Sequence, residues 1–207
     1  MRIFTKILAW TYILTRKVFK SKTNNDVVES VVSETVDIHS LDLSHIPQPT
    51  ILNNNGTKTL LIVNDIPSML KLLEIDLEDI NNENNKLIDT YKIILCSGKY
   101  ANLMAYKYIK ENKINKALVD VILSDSLLIV NDHMVEFTGF DLIREIKKYN
   151  SETEIAIFTA MNLKHSNNSG NRYDDIFSKL WDNNIIDRYI NVNLSNTKSD
   201  LKNLLTS

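Results

Sequence analysis

Cysteine is nearly missing from this chain: Cys96 is the single one in 207 residues. One thiol cannot close an internal disulfide, and no cysteine cluster is present to hold zinc. A reducing compartment is the simplest reading. Glycine is almost as scarce, with Gly56, Gly98, Gly139 and Gly170 making up the full set. None stands in G-x-x-x-x-G-K-[ST] or G-x-G-x-x-G spacing, which excludes the usual nucleotide-binding loops. A G-x-S-x-G hydrolase elbow is missing too. No run reaches the ~20 apolar residues that a bilayer-spanning helix needs.

Charge of one sign is also missing locally. Residues 1–22 hold Arg2, Lys6, Arg16, Lys17, Lys20 and Lys22 and no acid. Residues 23–57 hold Asp26, Glu29, Glu34, Asp37 and Asp42 and no Lys or Arg. The rest is mixed, so three zones follow: a basic amphipathic helix over 1–22, an acidic linker over 23–57 and a folded domain over 58–207.

On a helical wheel, Ile3, Phe4, Ile7, Leu8, Trp10, Leu14, Val18 and Phe19 fall on one side of the first segment. The basic residues fall on the other. Three readings fit: an interfacial segment on an anionic membrane face or a partner, an organelle transit peptide, or a helix docked on its own domain. In the second zone, Pro47-Gln-Pro49 and Asn53-Asn-Asn-Gly56 break regular structure. His39 and His45 there read as polar linker residues, since no carboxylate or cysteine pattern accompanies them.

From Lys58 the pattern alternates. Short apolar runs read as strands at 59–64, 91–96, 117–124, 154–159 and 187–192. Helical spacing covers 68–80, 100–112, 139–149, 173–183 and 199–205. The expected fold class is therefore α/β: a five-stranded parallel, doubly wound sheet of flavodoxin-like order 2-1-3-4-5, behind an N-terminal helical extension. Ligands in such sheets gather at the carboxyl ends of the strands, near the first and third. Asn64-Asp65, Asp125 and Thr159 fall at expected strand ends. Adjacent carboxylates repel unless a cation intervenes, and a hard divalent ion with oxygen ligands resolves that conflict. Asp120 reads as a residue at the start of its strand rather than as a chemical group.

Leu60-Leu-Ile-Val-Asn-Asp-Ile-Pro-Ser68, Asp120-Val-Ile-Leu-Ser-Asp125, the Thr138–Lys147 segment, Ile155-Ala-Ile-Phe-Thr-Ala160 and Tyr189 together resemble the receiver domain of two-component response regulators. The resemblance implies a cytoplasmic signalling protein rather than an enzyme. Asp125 would be the phosphoacceptor, and Asp65, Asp125 and Asn64 would surround Mg²⁺. Thr159 would bond the acyl phosphate, and Tyr189 would be the switch aromatic that rotates inward. It implies a histidine kinase or phosphotransfer protein as partner, or another protein contact, with neither nucleic acid nor a small-molecule substrate. Three departures set an alternative beside it. Asn64 replaces an acid, the loop from Asp125 to Gly139 is longer than the family's, and Val192-Asn193 replaces the strand-five lysine and proline. Lys164, in the loop after the fourth strand, is a candidate substitute for that cation. The alternative is a non-phosphorylated pseudo-receiver acting as a constitutive adaptor. The last helix, over 199–205, is expected to close the chain by Ser207 without a DNA-binding output domain.

Overall fold

The computed structural model describes residues 38–84, 86–121, 127–130, 133–165 and 171–207. The basic segment 1–22, the first part of the acidic zone and Asp125 lie outside the described residues. The elements are β1 (Thr50–Asn53), β2 (Lys58–Val63), α1 (Pro67–Glu83), β3 (Tyr91–Cys96), α2 (Ala101–Ile109), β4 (Lys116–Val119), β5 (Leu127–Val130), β6 (His133–Glu136), α3 (Gly139–Tyr149), β7 (Glu154–Thr159), α4 (Arg172–Asp182), β8 (Arg188–Asn191) and α5 (Thr197–Thr206).

The main sheet runs β1-β3-β2-β4-β7-β8. The five strands from β3 to β8 are parallel. They reproduce the expected 2-1-3-4-5 order. Alternation along each strand divides the apolar residues between two cores. Leu61, Val63, Ile94, Val119 and Ile157 face α2, α3 and α4. Leu60, Ile62, Ile93, Leu118 and Phe158 face α1 and α5. Both faces being covered explains why these strands read as unbroken apolar runs. The α3 helix opens with a capping box, in which Thr138 and Asp141 satisfy each other's backbone N–H groups.

Three expectations need correction. The third strand was expected over 117–124, but β4 spans only Lys116–Val119. It starts early because Asn115 pairs with Thr59 through both backbone and side chain. It stops because β2 has ended. The N–H of Asp120 donates to Val63 O at 2.9 Å, and beyond Val63 the chain turns into α1. Asp120 is thus the residue that ends this strand, not one that begins it.

The linker is the second correction. From Ile38 onward it belongs to the fold: Leu43 and Ile46 are buried, and β1 adds an antiparallel edge to β3. Lys107 Nζ donates to the carbonyls of Leu43 and Ile46. His39, expected as a solvated polar residue, bonds Tyr106 Oη through Nδ1 at 2.6 Å. The prolines and asparagines did not prevent this, because an edge strand needs ladder bonds on one side only. The third correction concerns the long loop after β4, which carries a hairpin pairing Leu127 with Glu136 and Val130 with His133.

At the amino edge of the sheet, the buried Lys116 meets Glu154, which also accepts from Arg188 Nε at 2.9 Å and from Ser207 Oγ. Burial pushes the Glu154 carboxyl up, but the hydrogen bonds from Lys116, Arg188 and Ser207 outweigh it and hold the carboxyl below its ordinary value. A depressed carboxyl contributes stability above its unfolded value and loses it as pH falls through the folded one. Glu154→Gln is therefore expected to lower the urea midpoint at about pH 7, and that effect is expected to shrink progressively as pH falls below about 4. At the other edge, a Cβ on Gly139 would lie 2.3 Å from Asp120 O and 2.9 Å from Val121 Cα. Gly139→Ala is expected to cost about 1–3 kcal/mol, read from urea denaturation.

Candidate functional site

The carboxyl ends of β2, β4, β7 and β8 converge on one edge. Each backbone ladder runs one residue past its strand. Asn64 N–H donates to Cys96 O at 3.1 Å, Asp120 N–H to Val63 O at 2.9 Å and Val192 N–H to Thr159 O at 3.1 Å. This register places Asn64 and Asp120 side by side. Their side chains meet: Asn64 Nδ2 donates to Asp120 Oδ2 at 3.0 Å, and both residues are 1% exposed. The other end of the amide is engaged as well, with Ile66 N–H donating to Asn64 Oδ1 at 2.8 Å. That second bond turns the chain into α1, where Pro67 takes the first helical position. It also fixes which way the amide points, because a reversed amide would set its NH₂ against the Ile66 N–H.

Thr159 is fully buried, and its Oγ1 accepts from Met161 N–H at 3.3 Å. Tyr189 packs on Phe177 with ring centroids 5.4 Å apart. Its hydroxyl donates to Met161 O and accepts from Leu163 N–H at 3.0 Å. Asn191 Nδ2 donates to the same Met161 O and to the Tyr189 hydroxyl. The loop after β7 is thereby sewn to β8 through neutral groups. Val192 packs against the core on the α1 and α5 face, opposite Tyr189. Lys164 is exposed, and its backbone N–H is bound to Asp174 Oδ1 at 2.9 Å. Burial pushes the Cys96 thiol up to about 12, so this buried group at the end of β3 is inert as a nucleophile.

The structure brings Asn64, Asp65 and Thr159 to one edge, as their strand-end positions imply, and Tyr189, the second residue of β8, reaches the loop after β7 there through its hydroxyl. The residue that sequence reasoning missed is Asp120. A signal for it exists: Asp120 is the first polar residue after Ala117-Leu-Val119, just as Asn64 is the first after Leu60–Val63. Equal strand ends place the two opposite each other.

Mg²⁺ prefers carboxylates and water oxygens in near-octahedral array. Among the described residues, Asp65 and Asp120 are the carboxylates that the ends of β2 and β4 bring to this edge. No group of three His, Cys, Asp or Glu is placed to hold a metal among the described residues. Asn64 directs an N–H, not an oxygen, at Asp120.

No protein-family model and no curated protein matches this chain. Among solved structures it is similar to a CheY-like response regulator receiver domain protein from Methanospirillum hungatei, at 19% identity and a TM-score of 0.47, over 72% of this chain and 90% of that one. It is similar to the response regulator TrrA from Thermotoga maritima in complex with Mg²⁺ and BeF, at 21% identity and a TM-score of 0.43, over 72% of this chain and 99% of that one. It is similar also to the non-phosphorylated HemR receiver domain from Leptospira biflexa, at 16% identity and a TM-score of 0.47, over 73% of this chain and 96% of that one. The likeness is one of fold.

Asn64→Asp is expected to set two carboxylates against each other and to destabilise the chain by about 1–3 kcal/mol. Added Mg²⁺ should recover part of that loss in the variant and leave the unsubstituted chain unchanged. Urea midpoints with and without Mg²⁺ check both.

Proposed function

We propose that this chain is a receiver-fold signalling module that acts through constitutive protein contact, without phosphoryl transfer and without catalysing a reaction. The observation that carries the reading is the buried Asn64–Asp120 pair. Phosphoryl transfer to an aspartate depends on positioned charge: a metal to neutralise the phosphoryl oxygens and a cation to hold the product. Here the strand-end carboxylate is satisfied by an amide, and the residue after β8 is Val192 where the resemblance implies lysine. Support also comes from Tyr189, whose hydroxyl is already held by the loop after β7. An aromatic bound inward in this way has little left to report.

Among the described residues no helix is long and apolar enough to cross a membrane. The partner on this reading is a protein that recognises one fixed surface. The competing reading keeps Asp125 as phosphoacceptor, Asp65 on Mg²⁺ and a histidine kinase or phosphotransfer protein as donor.

Incubating the full chain with acetyl phosphate and Mg²⁺, then measuring intact mass, separates the two. The unmodified mass is expected. Asn64→Asp combined with Val192→Lys restores an acid and a cation, and is expected to gain a Mg²⁺-dependent phosphoryl mass. A phosphoryl mass on the unsubstituted chain that disappears in Asp125→Asn or Asp120→Asn would overturn the proposal, and the sensitive variant would identify the acceptor.

A further inference from the structure

The added strand β1 widens the sheet past α1, and the described residues leave a groove there. It has a volume of about 550 Å³. Leu70 and Leu77 of α1 form one wall, Ile93 of β3 the floor and Leu52 of β1 the far wall. Leu52 is 56% exposed, an unusual state for a leucine on a sheet face. The rim is acidic. Glu74 and Glu78 stand on the groove side of α1, and Glu74 is paired with Lys71 at 2.6 Å.

We propose that residues 2–20 of the same chain dock in this groove as an amphipathic helix. The segment lies outside the described residues, and its sequence has the matching chemistry. Ile3, Ile7, Trp10 and Leu14 recur at the spacing by which a helix lays one face into a groove. Lys6 and Lys17 border that face from the polar side of the helix, and their sign complements Glu78. The tether is long enough. Ile38, where the described chain begins, packs on the opposite face of the sheet. The intervening residues 21–37 reach roughly 55 Å when extended, whereas rounding the sheet edge crosses two layers of about 10 Å each. Docking covers apolar surface that is otherwise left open to water. It also accounts for a basic segment that the carboxyl-edge site does not use. The inference stands independently of whether that site accepts phosphate.

The test uses the full chain with Trp181→Phe, which leaves Trp10 as the sole tryptophan. Acrylamide quenching of Trp10 is compared with the same chain carrying Leu52→Asp, Glu74→Lys and Glu78→Lys. All three positions are exposed, and urea midpoints check that the variant folds. Trp10 is expected to be several-fold less quenchable with the native groove, at every chain concentration tested. Equal quenching in both chains would overturn the proposal. So would protection that grows with chain concentration, which would mean a second copy supplies the segment. Protection that arises only on adding phosphatidylserine vesicles would overturn it in favour of a membrane-facing segment.

Discussion

Strand β2 has no side that faces water. It is hydrogen-bonded to β3 on one edge and β4 on the other, and Leu60, Leu61, Ile62 and Val63 are all at most 2% exposed. Each such side chain contributes about 1.5–3 kcal/mol by leaving water. A one-residue slip would send each of them to the wrong core, so the register is strongly specified. The two helical layers are arranged around this strand. The place where β2 ends also decides which residues of β3 and β4 stand at the carboxyl edge. Asn64 meets Asp120 because both neighbouring strands are read against β2.

The two edges of the sheet handle polar groups differently. At the amino edge, Lys116, Glu154 and Arg188 form a charged cluster with Ser207. At the carboxyl edge, the groups are an amide on a carboxylate, a threonine on a backbone N–H and a tyrosine on a carbonyl. An electrostatic switch needs charge placed to feel the change. The described carboxyl edge carries the carboxylates of Asp65 and Asp120 among groups tied mainly by hydrogen bonds. That contrast underlies the reading of a module that presents a constant surface.

The acidic zone does more than tether. Its second half inserts Leu43 and Ile46 into the core against α2 and then supplies β1. By extending the sheet, it creates on the opposite face an apolar groove that α1 alone does not cover. One stretch of chain thus closes one core and opens a surface on the other side.

The alternation of apolar runs and helical spacing was enough to determine five parallel strands and their order. Both depend on local period and on the handedness of crossovers. Three strand-and-helix spans, 91–96, 139–149 and 154–159, coincide with the expected bounds. Tertiary structure alone decided the rest. The run 117–124 is apolar well past Val119, yet a strand lasts only while a neighbour offers backbone groups, and β2 offers none after Val63. Thr50–Asn53 is short and polar at both ends, and it is a strand only because the open edge of β3 is there to receive it. The position of Asp120 beside Asn64 belongs to this second class. Side-chain spacing states which face a residue takes, but a partner strand distant in sequence sets how far along that face the pairing runs.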